Sequence, residues 1–340
     1  MDTKKKILII SPSAKSPFVR SDAEILAKEW ATEILGVETL PFPRKIILLW
    51  RLFTKLVNDE VLMVLMYFSV PVYAPFVVLL TKLFGKKVAV ITGGYDTTYV
   101  PVIDWGEMKV WWKRLAQRIA LSLADLVLAF SEFSKNDVLK YARPKKIKAL
   151  YFGIDTEYFK PKGKKEPLAI TVCFQLNATT LIQKGLRTMI EAARSVPKAS
   201  FVLIGQVSND STMNEARRTA PPNVIFQDKF TPAEELLEFY QRATAYLQVS
   251  AHEGFGIANA EAMACECIPI GTYATALPEV VGDAGFLVPF NDVPATVVAI
   301  KRALASPEFG KKARKRIIES FSFEMHERAL LAEFRSLLSP

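Results

Sequence analysis

Histidine is nearly missing from this 340-residue chain, at two positions, and cysteine is scarce, at three. Cys173, Cys265 and Cys267 make no even disulfide set, and the Cys-Glu-Cys pair has no second pair of metal ligands nearby. A disulfide scaffold and a zinc module are therefore excluded as readings, and a reducing compartment is expected. No Asp-x-Asp pair occurs anywhere, so a divalent metal held by such a pair is not expected. The apolar run at residues 7–10 is too short for a secretory signal, and prolines follow at once; it predicts a buried first strand. Residues 61–80 carry no charge and are long enough to cross a bilayer. Pro71 and Pro75 interrupt them, and the stretch divides into a strand and a helix, which is the reading preferred here.

Half of the residues are hydrophobic, and the length exceeds what one core usually serves, so the chain is expected to fold compactly as two domains. Short apolar runs alternate with helical patterns: KKILIIS before SDAEILAKEWATEIL, then VLMVLMYF, KVAVIT, and DLVLAFS before SEFSKNDVLKYA. Such alternation predicts α/β architecture with parallel strands. The lysine-rich FKPKGKKEP, residues 159–167, reads as a linker, after which LAITVCF, KGLRTMIEAARSV, ASFVLIG and PAEELLEFYQRA restart the rhythm. The expected division is 1–160, a Rossmann-like domain; 161–321, a second one; and 322–340, a helix returning to the first. Two doubly wound domains facing each other across a cleft form a ligand-binding architecture.

Charge is unevenly held. Residues 1–160 carry 24 Lys and Arg against 16 Asp and Glu, whereas residues 161–340 carry 20 against 19. A basic half points to phosphorylated ligands, an anionic membrane surface or nucleic acid. Within it, RKIILLWRLFTKLV sets Arg44, Lys45, Arg51 and Lys55 among large apolar residues, which suits a helix lying on an anionic membrane and equally a core helix with cationic flanks.

The stretch SAHEGFGIANAEAMA, residues 250–264, carries the chemistry. AYLQVS before it reads as a strand and IANAEAMA as a helix, so the turn lies where free backbone N–H groups and the helix dipole favour a phosphate. Gly254 and Gly256 allow close approach of a ligand. Glu253 and Glu261 flank this anion seat, and carboxylates there suit hydroxyl partners, such as the two sugars on either side of a diphosphate. The same residues also admit a plainer account, with Glu253 complementing the helix dipole and Glu261 lying on a helix surface. A dinucleotide fingerprint is incomplete, since Asn259 stands at its third glycine.

EGFGIANAEAMA resembles the Glu-seven-residues-Glu motif of the retaining glycosyltransferases of family 4, which have the GT-B fold. FGIDTEYFKP is similar to that family's hinge segment, QKGLRTMIEAA to its donor-phosphate segment, and ALPEVVGDAGFLVP to the segment after the glutamates. The resemblance implies that Glu253 contacts the donor sugar, that Glu261 holds the ribose, and that Lys184 neutralises the departing phosphates. It places Gly254, Phe255, Gly256 and Ile257 around the diphosphate and sugar, and Gly205, Gln206 and Lys229 around the base. It implies transfer of a hexose with retention, by front-face attack, the leaving phosphate oxygen taking the acceptor's proton.

The chain departs from that pattern in three places. No arginine precedes Lys184 in VCFQLNATTLIQKG, and Asn177 is the candidate substitute. ITGGYD replaces a first-domain histidine, leaving Asp96 and the backbone of Gly93 and Gly94 as candidates. SPSAKSPFVRSD replaces a glycine pair after the first strand, with Arg20 and Asp22 as acceptor-side candidates. The expected partners are a nucleoside diphosphate sugar, a glycan or lipid-linked acceptor and an anionic membrane surface, with no metal cofactor and no nucleic acid, at the cytoplasmic face of a membrane. A same-fold nucleotide-sugar epimerase and a basic nucleic-acid-binding protein are the alternatives. The first lacks convincing acid/base carboxylates, and the second needs neither the glutamates nor the glycine turn.

Overall fold

A computed structural model describes residues 6–38, 42–57, 61–228, 232–273 and 275–339, with backbone alone for residues 42–45. The chain divides into two units, residues 1–151 with 324–340, and residues 152–323.

The first unit runs β1 (Lys6–Ser11), α1 (Pro17–Ala27), β2 (Ala31–Gly36), α2 (Phe42–Leu56), β3 (Val61–Tyr67), α3 (Ala74–Leu83), β4 (Lys87–Thr92), α4 (Trp111–Leu123), β5 (Leu126–Ala129), α5 (Glu132–Tyr141) and β6 (Ile147–Ala149). Its sheet has the order β2-β1-β3-β4-β5-β6 with every pair parallel. The central strands β1, β3, β4 and β5 are buried on both faces, as near-continuous runs such as VLMVLMY require, while the edge strands β2 and β6 are partly exposed. Helices α2, α3, α4 and α5 pack one face through Leu48, Leu52, Val77, Val78, Leu121 and Val138.

SDAEILAKEWATEIL, whose spacing predicts one helix, is two elements: α1 ends at Ala27, and ATEILG is strand β2. The helical spacing of Ile25, Leu26 and Leu35 is coincidental, because β2 pairs with β1 along its whole length and that pairing decides its conformation. Residues 61–80 are a strand followed by a helix entered at Pro75, and among the described residues no helix is long and apolar enough to cross a membrane.

The second unit runs β7 (Glu166–Leu176), α6 (Ala178–Gln183), α7 (Leu186–Arg194), β8 (Ser200–Val207), α8 (Ser211–Thr219), β9 (Val224–Gln227), α9 (Ala233–Arg242), β10 (Ala243–Gln248), α10 (Ile257–Ala264), β11 (Ile268–Thr272), α11 (Leu277–Val281), β12 (Phe286–Val288), α12 (Val293–Ala305) and α13 (Glu308–Ser320). Its parallel sheet has the order β12-β11-β10-β7-β8-β9. Strand order reverses between β7 and β10, and ligands of doubly wound sheets bind beyond the strand ends at such a point. The last helix, α14 (Phe323–Leu338), leaves this unit, the first taking over at Glu324.

His326 anchors α14 in the first unit. Its Nε2 lies 2.8 Å from Asp22 Oδ1 and its Nδ1 2.7 Å from the Tyr151 carbonyl, while the Tyr67 hydroxyl donates to the other Asp22 oxygen. Burial disfavours the charged ring, but the carboxylate and the carbonyl both need an N–H, and together they hold the His326 pKa above its ordinary value.

Candidate functional site

The turn after β10 and the turn after α6 are tied together at the β7–β10 switch point. Ala251 N–H donates to the Gln183 carbonyl at 2.8 Å. Gly185 adopts φ +65°, and a Cβ there would lie 2.1 Å from the Val249 carbonyl oxygen, so only glycine lets the chain turn against the end of β10. This close approach brings Lys184, the residue before it, to Glu253.

Lys184 Nζ lies 2.7 Å from Glu253 Oε1. Ser250 Oγ donates to the same oxygen at 2.8 Å, and the Gln248 side chain also donates to the carboxylate. Burial opposes ionisation of Glu253, yet Lys184 and these donors outweigh it, and the carboxyl is held below its ordinary range. Burial likewise works against the Lys184 charge, and Glu253 overcomes it to raise that pKa. The result is an ionised pair near neutral pH. An ammonium has three N–H donors and a carboxylate about four acceptor sites, so the pair can still donate to phosphate oxygens and accept from hydroxyls.

Gly256, at φ +91°, begins α10 without a side-chain cap, and a Cβ there would crowd Leu277 and Gln248. The N–H groups of the first turn, from Ile257 onward, have no capping side chain, which makes this helix end an anion seat. Phe255 is buried and packs on Phe152 and Phe321, fixing the turn from below. Gly254 precedes it in the same turn.

Glu261 sits in α10 with a different environment. The Tyr240 hydroxyl from α9 donates to its Oε2 at 3.1 Å. Burial pushes its pKa up to about 7, with Tyr240 working in the opposite direction. The two glutamates of the motif therefore differ in charge at neutral pH, one fully ionised and one near its midpoint.

Three of the remaining candidates of this unit fall near the carboxyl ends of β7 and β8. Gly205 lies in β8 with its Cα 's missing side chain facing the Cys173 carbonyl, where a Cβ would approach to 2.1 Å, and Gln206 beside it is exposed. Asn177 caps α6, its Oδ1 accepting from Thr180 N–H at 2.9 Å. Lys229 lies outside the described residues.

In the first unit, Asp96 is buried and accepts from Ser69 N–H at 2.8 Å and Gly93 N–H at 2.9 Å. Burial raises its pKa to about 6 in spite of these donors. It borders a largely apolar cavity of about 400 Å³ with Phe68, Pro71, Gly93, Tyr95 and Glu107. Gly94, at φ +98°, leads into the one-turn helix Tyr95–Thr97. Arg20 is exposed, its Nε donating to the Ala14 carbonyl at 3.1 Å, and Asp22 is engaged by His326 and Tyr67.

Sequence reasoning passed over Ser250, Gln248 and Tyr240. Gln248 and Ser250 are two residues apart at the end of an otherwise apolar strand, a spacing that places both on one side and was a readable signal. Tyr240 had no local signal, because its partner lies 21 residues away.

Residues 159–320 match the family model described as Glycosyl transferases group 1. The chain is 29% identical over 239 residues to an alpha-maltose-1-phosphate synthase of Mycolicibacterium smegmatis, covering 61% of this chain and 62% of that protein. It is 29% identical over 204 residues to a GDP-mannose:cellobiosyl-diphosphopolyprenol alpha-mannosyltransferase of Xanthomonas campestris, covering 56% and 51%. The chain thus spans between about half and three fifths of the length of these curated relatives. Among solved structures, a sucrose-phosphate synthase from Thermosynechococcus elongatus superposes with a TM-score of 0.79 at 17% identity, over 98% of this chain and 99% of that one. Anabaena HepE, solved in complex with UDP-glucose, gives 0.73 at 14% identity, over 97% and 99%. The fold is GT-B, as the resemblance implied.

Proposed function

We propose, from the premise that residues 159–320 form a glycosyl transferases group 1 domain, that this chain moves a hexose from a nucleoside diphosphate sugar to an acceptor hydroxyl with retention of configuration. The observation that carries the reading is the Lys184–Glu253 pair at the uncapped amino end of α10, with Glu261 further along the same helix. In this proposal Lys184 and the α10 N–H groups receive the diphosphate, where negative charge develops as the glycosidic C–O bond breaks. Glu253 accepts from donor-sugar hydroxyls, and Glu261, when ionised, accepts from the ribose. The acceptor oxygen bonds to the anomeric carbon on the face the diphosphate leaves, and the departing phosphate oxygen takes its proton. No side-chain nucleophile and no metal is required.

The relatives support a nucleotide-sugar donor: HepE was solved with UDP-glucose, and the Xanthomonas protein's name specifies GDP-mannose and a diphosphopolyprenol acceptor. We assign the acceptor to the first unit and propose a lipid-linked or membrane-proximal glycan, on the basic character of residues 1–160, at the cytoplasmic face of a membrane. Calorimetric titration with UDP-, GDP- and ADP-hexoses, with chelator present, tests the donor assignment. One nucleotide class is expected to bind wild type and to bind Glu261→Ala at least ~tenfold more weakly. Absence of binding by all three to wild type would defeat the reading.

A further inference from the structure

Helices α2, α3 and α4 are apolar on both faces. Their inward residues, among them Leu48, Leu52, Leu56, Val77, Val78 and Leu121, already form the core against the first unit's sheet. Outward, Ile46, Trp50, Phe53 and Val57 follow one another along α2, Phe76, Leu79 and Leu83 along α3, and Trp111 and Leu115 along α4. Trp50 is 65% exposed, Leu83 81% and Trp111 73%. A surface helix ordinarily turns polar residues to water, and monomers rarely leave so continuous an apolar face uncovered. The face is continuous: α3 packs against both α2 and α4, Trp50 stacks on Phe53 at 5.7 Å, and Phe53 meets Phe84 beyond α3 at 5.6 Å.

Charge identifies the partner. The three helices contain eight lysines and arginines and not one aspartate or glutamate; Lys55, Lys82 and Lys113 pair with Glu33, Asp125 and Glu107 of neighbouring elements, which leaves the arginines as the cations of the outer face. Arg114 and Arg118 are exposed and share the helical face of Trp111 and Leu115, and Arg51 is exposed beside Trp50. Large apolar and tryptophan side chains rimmed by cations match the boundary between anionic headgroups and acyl chains. A second copy of the same face would bring Arg51, Arg114 and Arg118 against one another with no acidic residue on these helices to offset them, which disfavours self-association.

We infer that the α2–α3–α4 layer docks onto an anionic bilayer, inserting Trp50, Leu83 and Trp111 while Arg51, Arg114 and Arg118 meet headgroup phosphates. This inference rests on the membrane-proximal acceptor in the proposed function and names the surface that reaches it. The test is co-sedimentation with vesicles of equal parts phosphatidylglycerol and phosphatidylcholine, and with phosphatidylcholine alone, for wild type and a Trp50→Glu/Leu83→Glu variant. Wild type is expected to bind the anionic vesicles, more weakly at high salt, and the variant at least ~tenfold less. Wild type left in the supernatant, or a variant that binds equally well, would overturn the inference. So would a lipid-free dimer that the same substitutions dissociate, since the face would then belong to a second copy. Nucleotide-sugar titration of the same two proteins separates the readings: the variant keeps donor binding if only the docking surface was removed. A failure of wild type to bind donor while it still binds vesicles counts against the donor site alone.

Discussion

Each unit has its own parallel six-stranded sheet, and the two place their ionised groups to different effect. In the second, the principal buried pair, Lys184–Glu253, sits at the strand ends in a turn that glycines shape, where a ligand can reach it. In the first, the buried His326–Asp22–Tyr67 chain fastens a helix, and the exposed arginines Arg51, Arg114 and Arg118 lie on the outside of α2 and α4. The same fold thus sets a buried ion pair in a turn of one unit and uses another to fasten a helix in the other.

The largest effect that would sharpen this contrast comes from Lys184→Met. It strands the buried Glu253 carboxylate and is expected to cost ~3–5 kcal/mol in urea denaturation, much of it recovered on adding Glu253→Gln. Breaking the half-exposed Lys6–Glu33 pair of the first unit by Lys6→Met should cost at most ~1 kcal/mol. Equal losses in the two variants would erase the distinction drawn here.

His326→Ala comes next, at ~2–3 kcal/mol in acid solution. The folded pKa of His326 is raised above its ordinary 6.5, so its contribution is fully present below that pH and is lost as pH rises through the folded value. Stability of the variant, followed by thermal melts across this window, should vary less steeply with pH than that of wild type.

Glycine substitution probes the turns. Gly256→Ala must hold a Cβ at φ +91° against Leu277 at 2.9 Å and should cost ~2–3 kcal/mol while weakening donor binding. Gly85→Ala in the first unit, at φ +67° with nothing near its Cβ, should cost only ~1 kcal/mol by the same denaturation measurement. The smallest effect is expected from Glu261→Gln. The Glu261 pKa is raised from 4.5 to about 7, so the folded state favours its protonated form, and wild-type stability declines as pH rises across that interval. The amide removes this decline and should stabilise the protein above neutral pH by ~1 kcal/mol, readable in pH-dependent melts.

Much of this organisation was legible in the sequence. Apolar runs alternating with helical spacing specified parallel α/β units, and two glycines between AYLQVS and IANAEAMA specified a turn between a strand and a helix. Strand β2 was misread because ATEILG continues the spacing of α1, and only its pairing with β1 makes it a strand. The Lys184–Glu253 contact joins residues 69 apart, and Asp22 meets His326 across 304 residues, so neither has a local signature. For Asp22 this mattered most: the sequence offered a loop carboxylate near a candidate acceptor, and the fold engages it with α14. The exposure of α2 was also undecided in sequence, since RKIILLWRLFTKLV suits a buried or a surface helix, and the structure gives it one face of each kind.

In the proposed function Lys184 receives the diphosphate of a nucleotide sugar in the second unit. Phosphorus NMR of the preferred nucleoside diphosphate, titrated with wild type and with Lys184→Gln/Glu253→Gln, tests it most directly, the second substitution keeping the fold free of a stranded carboxylate. Both phosphate resonances are expected to shift and broaden with wild type and to stay at their free positions with the double variant. Resonances that wild type leaves unmoved, or that the folded double variant moves equally, would contradict it.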